Sequence, residues 1–371
     1  KKYTSLGLMS GTSGDGVDAS IINSNGIDQF EIIKNEYFEY DSDIYDNFHS
    51  LKEKIFTIKD LKKFSEDLLN LERKITFFHA KIIKKIYLDN YNDALVGFHG
   101  QTIYHNAKER ISKQLGDGQL LNQLTNRKIV FNFRKNDILN GGEGAPLTPI
   151  FHQLIATQKN IELPTCILNI GGISNLTIIK KPIGSMEIFS RDIGPGNCLI
   201  DSWIRKNSKK KFDHNGQYAL SGKKNEIIFE QAQELYSNRI EKEKISLDTG
   251  DFDVSFARGI SLEDGAATLT DFTASLISEG ILSLLSKHQA IKNIIFSGGG
   301  RKNEYLIKKI KENVPTNLSF ELIDKYEING DFVESQAFAF LAIRTYKKLP
   351  ITFPNTTNCI KACVGGEIVD N

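Results

Sequence analysis

A glycine-rich hairpin motif occurs twice in this sequence, at residues 6–22 and 165–180, and it constrains the fold more than any other feature. In each copy, two short apolar segments flank a turn of Gly, Ser, Thr or Asn, a pattern that predicts a β-hairpin. Glycine adopts turn conformations closed to other residues, and its backbone N–H groups can approach an anion. Two such hairpins facing each other would hold a polyphosphate from both sides, which predicts a nucleotide between two related domains.

A second pair of segments supports an internal duplication. The apolar run 95–98 leads into His99 and Gly100, and the run 291–296 leads into Ser297 and three glycines. Strand-to-glycine turns at corresponding positions favour a duplicated α/β fold over a single sheet. The glycine density at 140–146 predicts a domain boundary. We expect one domain from residues 1–140 plus 347–371 and another from residues 141–346.

The apolar periodicity adds several elements to this outline. Helices are predicted over 44–88, 264–287 and 332–348, a strand over 128–133, a loop over 191–197, and surface helix with loops over 205–245. The residues of the first strand-to-glycine turn, 99–102, should lie just beyond the carboxyl end of their strand, where open α/β sheets bind ligands.

Composition excludes several classes of protein. The 371 residues carry a net charge of +1, so no basic field indicates nucleic acid. No apolar run approaches a membrane span, and the first residues lack a signal-peptide layout. The four cysteines, at 166, 198, 359 and 363, are too few for a disulfide framework, and no second Cys or His pair near 359 and 363 completes a zinc site. These features favour a cytoplasmic protein that binds small molecules and has neither nucleic acid nor a membrane as a partner.

Asp192 is the acidic residue that most suggests catalysis. The sequence after it, Gly194-Pro195-Gly196-Asn197, is typical of a rigid turn before a helix. Asp192 could be a turn former or helix N-cap, but Asn197 is better placed for the cap. A carboxylate in a cleft can act as general base on a hydroxyl or on water.

Other candidates follow predicted strands. His99, Gln101 and Thr102 suit hydrogen bonding to a sugar, although a lone histidine there is more often structural. Arg134 could pair with a substrate carboxylate or form a surface salt bridge. Glu334, at the start of the last long helix, could point into a cleft or help to cap the helix. The turn 11–16 lacks the lysine of a P-loop and the spacing of a dinucleotide fingerprint, so taken alone it could be an ordinary turn.

Six segments resemble the anhydro-N-acetylmuramic acid kinase family, which belongs to the actin, hexokinase and heat-shock-chaperone ATPase superfamily. They occur in the family's order, span nearly the whole chain and are highly specific as a set. The segments are 7–18, 99–102, 141–147, 169–175, 192–197 and 334–339.

The resemblance implies a fold, a reaction and a set of roles. The fold would be α/β, with two duplicated actin-like (ribonuclease H-like) domains and a central nucleotide cleft. The reaction would use ATP, with Mg²⁺, to open the 1,6-anhydro ring of anhydro-N-acetylmuramic acid with water and to phosphorylate O6. The product would be N-acetylmuramic acid 6-phosphate, made during recycling of cell-wall fragments. By family analogy the enzyme would be a homodimer. Asp192 matches the catalytic base that activates water. Residues implied to bind ATP are Gly11, Thr12, Ser13, Gly14, Asp15, Gly16, Val17, Asp18, Gly171, Gly172, Ser174, Asn175, Gly298, Gly299 and Gly300. Residues implied to contact the sugar are His99, Gln101, Thr102, Arg134 and Glu334.

The sequence departs from the family pattern at a few positions. Gly14 replaces a common Leu or Ala, which should loosen the first turn; Asn132 replaces Asp; Glu143 replaces Gln; and Gly118 stands where Pro is common. A usual Lys-Ser-Thr-Gly-Arg-Glu segment has become the more acidic 246–253. The alternatives are a kinase for another anhydrosugar such as levoglucosan, and a non-catalytic ATP-binding switch or chaperone of the same superfamily.

Overall fold

The computed structural model describes residues 1–86, 91, 93–237, 246–315 and 317–370, and it contains the following elements. The strands are β1 (Tyr3–Ser10), β2 (Gly16–Ser24), β3 (Phe30–Glu39), β4 (Leu95–Asn106), β5 (Ile111–Leu115), β6 (Ile129–Phe131), β7 (Thr165–Ile170), β8 (Ile173–Ile179), β9 (Ile188–Pro195), β10 (Asn293–Ser297), β11 (Ser319–Leu322) and β12 (Glu367–Val369). The helices are α1 (Ser42–Lys52), α2 (Ile58–Lys63), α3 (Ser65–Lys85), α4 (Gly118–Thr125), α5 (Lys135–Leu139), α6 (Pro149–Gln158), α7 (Cys198–Asn207), α8 (Gln217–Ser221), α9 (Glu226–Ser237), α10 (Leu262–Leu285), α11 (Glu304–Asn313), α12 (Val333–Tyr346) and α13 (Pro354–Thr357).

The chain divides into two compact units. Unit 1 contains residues 1–161, 181–189 and 332–371, and unit 2 contains residues 162–180 and 190–331. The boundaries differ from those expected near 140 and 346. Helix α6 belongs to unit 1 because the Gln158 side chain exchanges hydrogen bonds with the Phe30 backbone, 2.7 Å each way. Helix α12 belongs there too because it packs on β1, β2 and β4.

Unit 1 is built on a seven-stranded sheet with β3-β2-β1-β4-β6-β12 in order, and β5 paired to the far part of β4. Strands β1 to β3 form an antiparallel meander, whereas β4 runs parallel to β1 and β6 parallel to β4. On one face, Leu6 and Leu8 join the apolar core formed with α1 and α3. On the other face, α12 lies so close that a β-carbon at Gly7 would approach the Ser335 carbonyl to 1.9 Å. Glycine at position 7 is therefore required by helix packing.

Unit 2 repeats this topology in a five-stranded sheet, ordered β9-β8-β7-β10-β11. Strands β7 and β8 form an antiparallel hairpin, and β10 and β11 run parallel to β7. Helices α7 to α10 enclose an apolar core around Trp203 and Phe272. The common strand order and directions confirm the predicted duplicated α/β, actin-like fold.

Several predicted elements have different bounds. Strand β4 continues to Asn106, so His99, Gln101 and Thr102 lie within it rather than beyond its end. The predicted loop at 191–197 is mostly strand, since β9 extends to Pro195. The segment after residue 205 is helical as predicted, but Ala219, Ala232 and Tyr236 belong to the core. Parts of two predictions, residues 87–88 and 238–245, lie outside the described residues. In the portion that the structure describes, none of the helices is long and apolar enough to cross a membrane.

Candidate functional site

The first glycine-rich turn joins β1 to β2 and is closed by a 3.1 Å hydrogen bond from Gly14 N–H to the Gly11 carbonyl. A β-carbon at Gly11 would have Ser13 Oγ, at 3.9 Å, as its nearest neighbour among the described residues, and Gly11 is not in the left-handed region. Neither packing nor backbone conformation therefore requires glycine at position 11. That open space fits a ligand that approaches the backbone closely.

Gln101 links this turn to β4. Its Nε2 donates a 2.8 Å hydrogen bond to the Gly11 carbonyl, and its buried Oε1 has no hydrogen-bond partner among the described residues. Unit 1 thus brings the first turn into contact with Gln101, one of the residues predicted to contact the sugar. A buried polar atom without a partner is costly, which is a reason to expect a ligand contact at Oε1.

His99 and Arg134 form a direct pair in unit 1. Buried His99 donates from Nδ1 to the Gly100 carbonyl at 2.7 Å, and its Nε2 accepts from Arg134 Nη2 at 2.9 Å. Burial, reinforced by the Arg134 charge, holds the pKa of His99 well below its usual value, so the ring is neutral. Arg134 Nη1 also donates to the Gly144 carbonyl at 2.8 Å. His99 therefore orients a guanidinium instead of acting as a base.

Glu334 lies in the first turn of α12 and feels the same guanidinium. Burial raises the pKa of Glu334, and the charge of Arg134 opposes that shift. The two candidates predicted from separate motifs are thus electrostatic neighbours. Thr102 has a more local role, because its hydroxyl accepts a 3.2 Å hydrogen bond from Gln114 across the β4–β5 pair.

The other candidates of the first turn differ in exposure. Val17 is fully buried in the core of unit 1, so its side chain packs and cannot meet a ligand. Packing requires glycine at position 16, because a β-carbon there would lie 2.3 Å from the Phe38 carbonyl. The remaining side chains are exposed or half-buried: Thr12, Ser13, Asp15 and Asp18.

In unit 2, three polar side chains form a row across neighbouring strands. Asn169 at the end of β7 is directly opposite Asn175 of β8 on one side and Ser297 of β10 on the other. Partners in register point to the same face of a sheet. The oxygen of each side chain is buried and lacks a hydrogen-bond partner within the described ranges. The row therefore presents acceptor and hydroxyl oxygens that the fold itself does not satisfy.

Two glycine turns flank this row. Gly298 has a φ of +79°, and a β-carbon there would lie 2.5 Å from Asn169 Oδ1. A β-carbon at Gly300 would lie 2.2 Å from the Ile170 side chain. Packing therefore requires both of these glycines. Gly171 and Gly299 differ, because a β-carbon at Gly171 would make only ordinary contacts beyond 3.4 Å and one at Gly299 would meet no described atom within 4 Å.

The second hairpin turn is fixed to the start of α7. The Gly172 carbonyl accepts from Gly196 and Cys198, at 2.8 and 3.2 Å, and the Gly171 carbonyl accepts from Asn197 at 2.7 Å. Asn197 does occupy the N-cap position of α7, but its side chain makes no capping hydrogen bond. Ser174, predicted to face the nucleotide, is buried and donates to the Pro195 carbonyl at 3.0 Å. Its role in the structure is to join β8 to β9.

Asp192 lies within β9 and is 7% exposed. Its Oδ2 accepts a 2.7 Å hydrogen bond from the Leu247 backbone N–H, which fixes the orientation of the carboxylate. A held, nearly buried carboxylate has the geometry that a general base needs. Its position on a strand, where no helix needs capping, removes the N-cap alternative for Asp192.

The chain has close relatives of known family. Residues 3–371 match the model of the family described as Anhydro-N-acetylmuramic acid kinase. The chain is 52% identical to the anhydro-N-acetylmuramic acid kinase of Pelagibacter ubique (strain HTCC1062), covering 100% of this chain and 99% of the relative. It is 34% identical to the protein of the same name from Agrobacterium fabrum (strain C58), covering 99% and 98%. The chain belongs to the anhydro-N-acetylmuramic acid kinase family.

This membership confirms the resemblance and makes the chain an enzyme of the kinase class. Among solved structures, the activator of the 2-hydroxyisocaproyl-CoA dehydratase from Clostridium difficile, with bound ADPNP, is similar at a TM-score of 0.41 and 11% identity, over 93% of this chain and 96% of that one. The fold assignment rests instead on the strand order of the two sheets.

The departures from the family pattern have structural counterparts. Gly14 has a φ of +66°, and the Phe48 ring occupies the place of its β-carbon, so the turn is packed rather than loosened as expected. Asn132 has a φ of 55°, a conformation that Asn tolerates well, and donates to Glu367 at 3.0 Å. The altered segment 246–253 is the one that supplies Leu247 N–H to Asp192.

Three residues near the glycine turns of unit 2 were absent from the predicted ligand contacts. Asn169 and Ser297 are polar residues in otherwise apolar buried strands, a signal that could have identified them. Arg301 is nearly buried and bridges Asp324, at 2.7 and 2.8 Å, and Asp331 at 2.6 Å. It also donates to the Gly298 carbonyl at 3.0 Å, so it fixes the last glycine turn.

Proposed function

We propose that this chain catalyses the ATP-dependent conversion of 1,6-anhydro-N-acetylmuramic acid to N-acetylmuramic acid 6-phosphate. The observation that carries the proposal is the full-length family match together with a nearly buried carboxylate, Asp192, held by a backbone N–H. No other described residue of the predicted site combines burial, a fixed orientation and the capacity to accept a proton in this way.

In the proposed reaction, Asp192 accepts a proton from water, and the water oxygen bonds to the anomeric carbon. The bond between that carbon and O6 breaks, and O6 attacks the γ-phosphorus of ATP. The bond from the γ-phosphorus to the bridging oxygen breaks, and ADP leaves. General-base assistance of this kind contributes roughly 10²- to 10⁴-fold in rate.

We assign phosphate binding to the glycines that the fold does not itself require. Gly11, Gly171 and Gly299 leave open the space that a β-carbon would fill, so phosphate oxygens can approach the backbone closely there, although the Gly171 N–H itself donates to the Ile173 carbonyl at 3.2 Å. The unsatisfied oxygens of Asn169 and Asn175 fit donors of a nucleotide or the water shell of Mg²⁺, a cation that prefers oxygen ligands. When bound with the nucleotide, Mg²⁺ would neutralise phosphate charge.

Arg134 is the residue that we assign to substrate discrimination. The substrate carries a lactyl carboxylate, whereas levoglucosan does not. A guanidinium oriented by His99 and Gly144 suits such a carboxylate, because arginine presents its donors in a fixed fork. Glu334, Gln101 and Thr102 are assigned to the sugar hydroxyl groups.

The test is an assay of ADP release with anhydro-N-acetylmuramic acid and with levoglucosan side by side. We expect turnover with the first and, in Arg134→Met, a KM raised at least tenfold for it. The control Arg73→Met changes an exposed arginine of α3 and should leave both parameters unchanged. Preference for levoglucosan would assign the chain to another anhydrosugar, and an unchanged KM in Arg134→Met would show that Arg134 does not discriminate between the substrates.

Two further expectations follow from the same proposal. Dependence on ATP favours the cytoplasm, where ATP is abundant. A homodimer stays a prediction by family analogy, and sedimentation analysis of the purified chain measures it.

A further inference from the structure

Three metal-ligating side chains converge in unit 1, outside the residues assigned to the reaction. The ligand atoms of Asp137, Cys359 and Cys363 all lie within 4.8 Å of one another, and all three residues are buried. Asp137 comes from α5, and the cysteines enclose the exposed residues 360–362. The Cys363 backbone is held in place by a bridge to Thr352. The sequence showed two cysteines without a partner, and the fold adds a carboxylate from more than 200 residues earlier.

Two hydrogen-bond donors hold the Asp137 carboxylate in place. Its Oδ1 accepts from the Thr357 hydroxyl at 2.6 Å, and its Oδ2 accepts from Gly144 N–H at 2.8 Å. Across the described ranges, no lysine, arginine or histidine forms an ion pair with this carboxylate, which is 1% exposed. A buried carboxylate beside two buried thiols is a donor set that suits a metal cation.

We propose that Asp137, Cys359 and Cys363 bind a thiophilic divalent cation of the Zn²⁺ class. Zinc takes thiolate and carboxylate ligands at distances that place ligand atoms about 3.5 to 3.8 Å apart in a tetrahedron, so the three atoms need to close by only about 1 Å. The Thr357 hydroxyl and Gly144 N–H then orient the ligating carboxylate, as outer partners do in metal sites. A water molecule would complete the tetrahedron.

A disulfide between the cysteines is the main alternative use of the pair. It would consume both thiols but leave the Asp137 carboxylate without a cation.

The proposed metal site is connected to Arg134. Gly144 donates its N–H to Asp137 and accepts at its carbonyl from Arg134. A cation that fixes Asp137 would hold the segment that orients the guanidinium. Zinc should thus act on stability and on the position of Arg134, with no part in the reaction itself.

The test uses the full chain, reduced and stripped with a chelator, then dialysed against Zn²⁺ or Co²⁺. We expect one zinc ion per chain by elemental analysis, a higher Tm on zinc addition, and a thiolate-to-cobalt charge-transfer band. Cys359→Ser/Cys363→Ser and Asp137→Asn should lose the zinc-dependent rise in Tm. The asparagine can still accept from Gly144 and donate to the Thr357 hydroxyl, so this variant should fold.

Cys166→Ala is the matched control, since Cys166 is a buried thiol of β7 in unit 2, and it should retain full zinc binding. Zinc bound to the wild type no more tightly than to the double serine variant would overturn the proposal. So would a rise in Tm that survives in Asp137→Asn. A Cys359–Cys363 disulfide in the protein as purified, with no zinc binding after reduction, would assign the pair to redox chemistry instead.

Discussion

Two adjacent glycines in the last glycine turn should respond oppositely to the same substitution. A β-carbon at Gly299 meets no described atom within 4 Å, and its φ is not left-handed. Gly299→Ala should therefore leave the free energy of unfolding unchanged or raise it by up to about 1 kcal/mol, because alanine restricts the unfolded chain. A β-carbon at Gly300 would lie 2.2 Å from Ile170 Cγ2 and 3.0 Å from the Ile170 carbonyl. Since isoleucine is stiff at χ1, Gly300→Ala should cost about 1–3 kcal/mol.

ATP affinity should be lost at Gly299, the position where substitution leaves the stability intact. If the space beside Gly299 receives the nucleotide, a methyl group there displaces a ligand atom. We expect at least a tenfold loss of affinity in Gly299→Ala, which corresponds to about 1.4 kcal/mol. Gly171→Ala should behave in the same way, because its β-carbon also makes only ordinary contacts.

The two measurements are denaturant unfolding and calorimetric titration with a non-hydrolysable ATP analogue. Gly300→Ala supplies the comparison, since it perturbs the same turn through packing. Unchanged ATP affinity in a well-folded Gly299→Ala would show that the open space does not receive the nucleotide. Equal destabilisation by the two substitutions would contradict the packing argument.

Three further outcomes are expected. Asp192→Asn should lower kcat by roughly 10²- to 10⁴-fold while sparing ATP binding, because the amide keeps the size of the carboxylate but cannot take a proton. A kcat within threefold of the wild-type value would exclude Asp192 as the general base. Arg301→Met should lower the free energy of unfolding by about 2 kcal/mol, a value kept low because the partner aspartates are partly exposed to solvent. Lys302→Met removes an exposed lysine and should change the free energy of unfolding little. Burial lowers the pKa of His79 to about 4 and that of His152 to about 3, so the unfolded chain binds more protons below pH 6.5. Stability should fall by about 2 kcal/mol per histidine between pH 7 and pH 5, and unfolding of His152→Gln should show a weaker pH dependence.

The duplicated architecture was predictable because it rests on local signals. The hairpins and strand-to-glycine turns combine apolar alternation with glycine, and both are visible in one sequence. The extent of β4 was not predictable, because its outer half pairs with β5 through a register shift that depends on tertiary contacts. The boundary between the compact units also differs from the expected one: Asn140 to Pro146 has the composition of a linker, yet hydrogen bonds to Asp137 and Thr357 hold it in unit 1.

The ligand contacts stay a prediction, but the structure shows which of the predicted residues also have a role in the fold. Ser174, Val17 and His99 were identified as ligand contacts, and the structure uses them to join strands, fill the core and orient Arg134. A sequence pattern records that a residue type matters at a position. Only the hydrogen-bond partners show whether it matters to the fold or to a ligand.

The two halves use equivalent strand ends for different chemistry. In unit 1, Ser10 is opposite Gln101; its hydroxyl bonds to Tyr40 at 2.9 Å, and Gln101 bonds to Gly11. In unit 2, the pair near the ends of β7 and β10 is Asn169 and Ser297, and the oxygens of both lack partners in the described part of the chain. The strand order is the same, but the pairing of β1 with β4 shifts register after Leu8, and no such shift interrupts the pairing of β7 with β10. In the first half, the Gln101 amide donates to its own turn and leaves its Oε1 without a partner among the described residues. The second half leaves a row of three such oxygens, which is why we place the closest nucleotide contacts of unit 2 at this row.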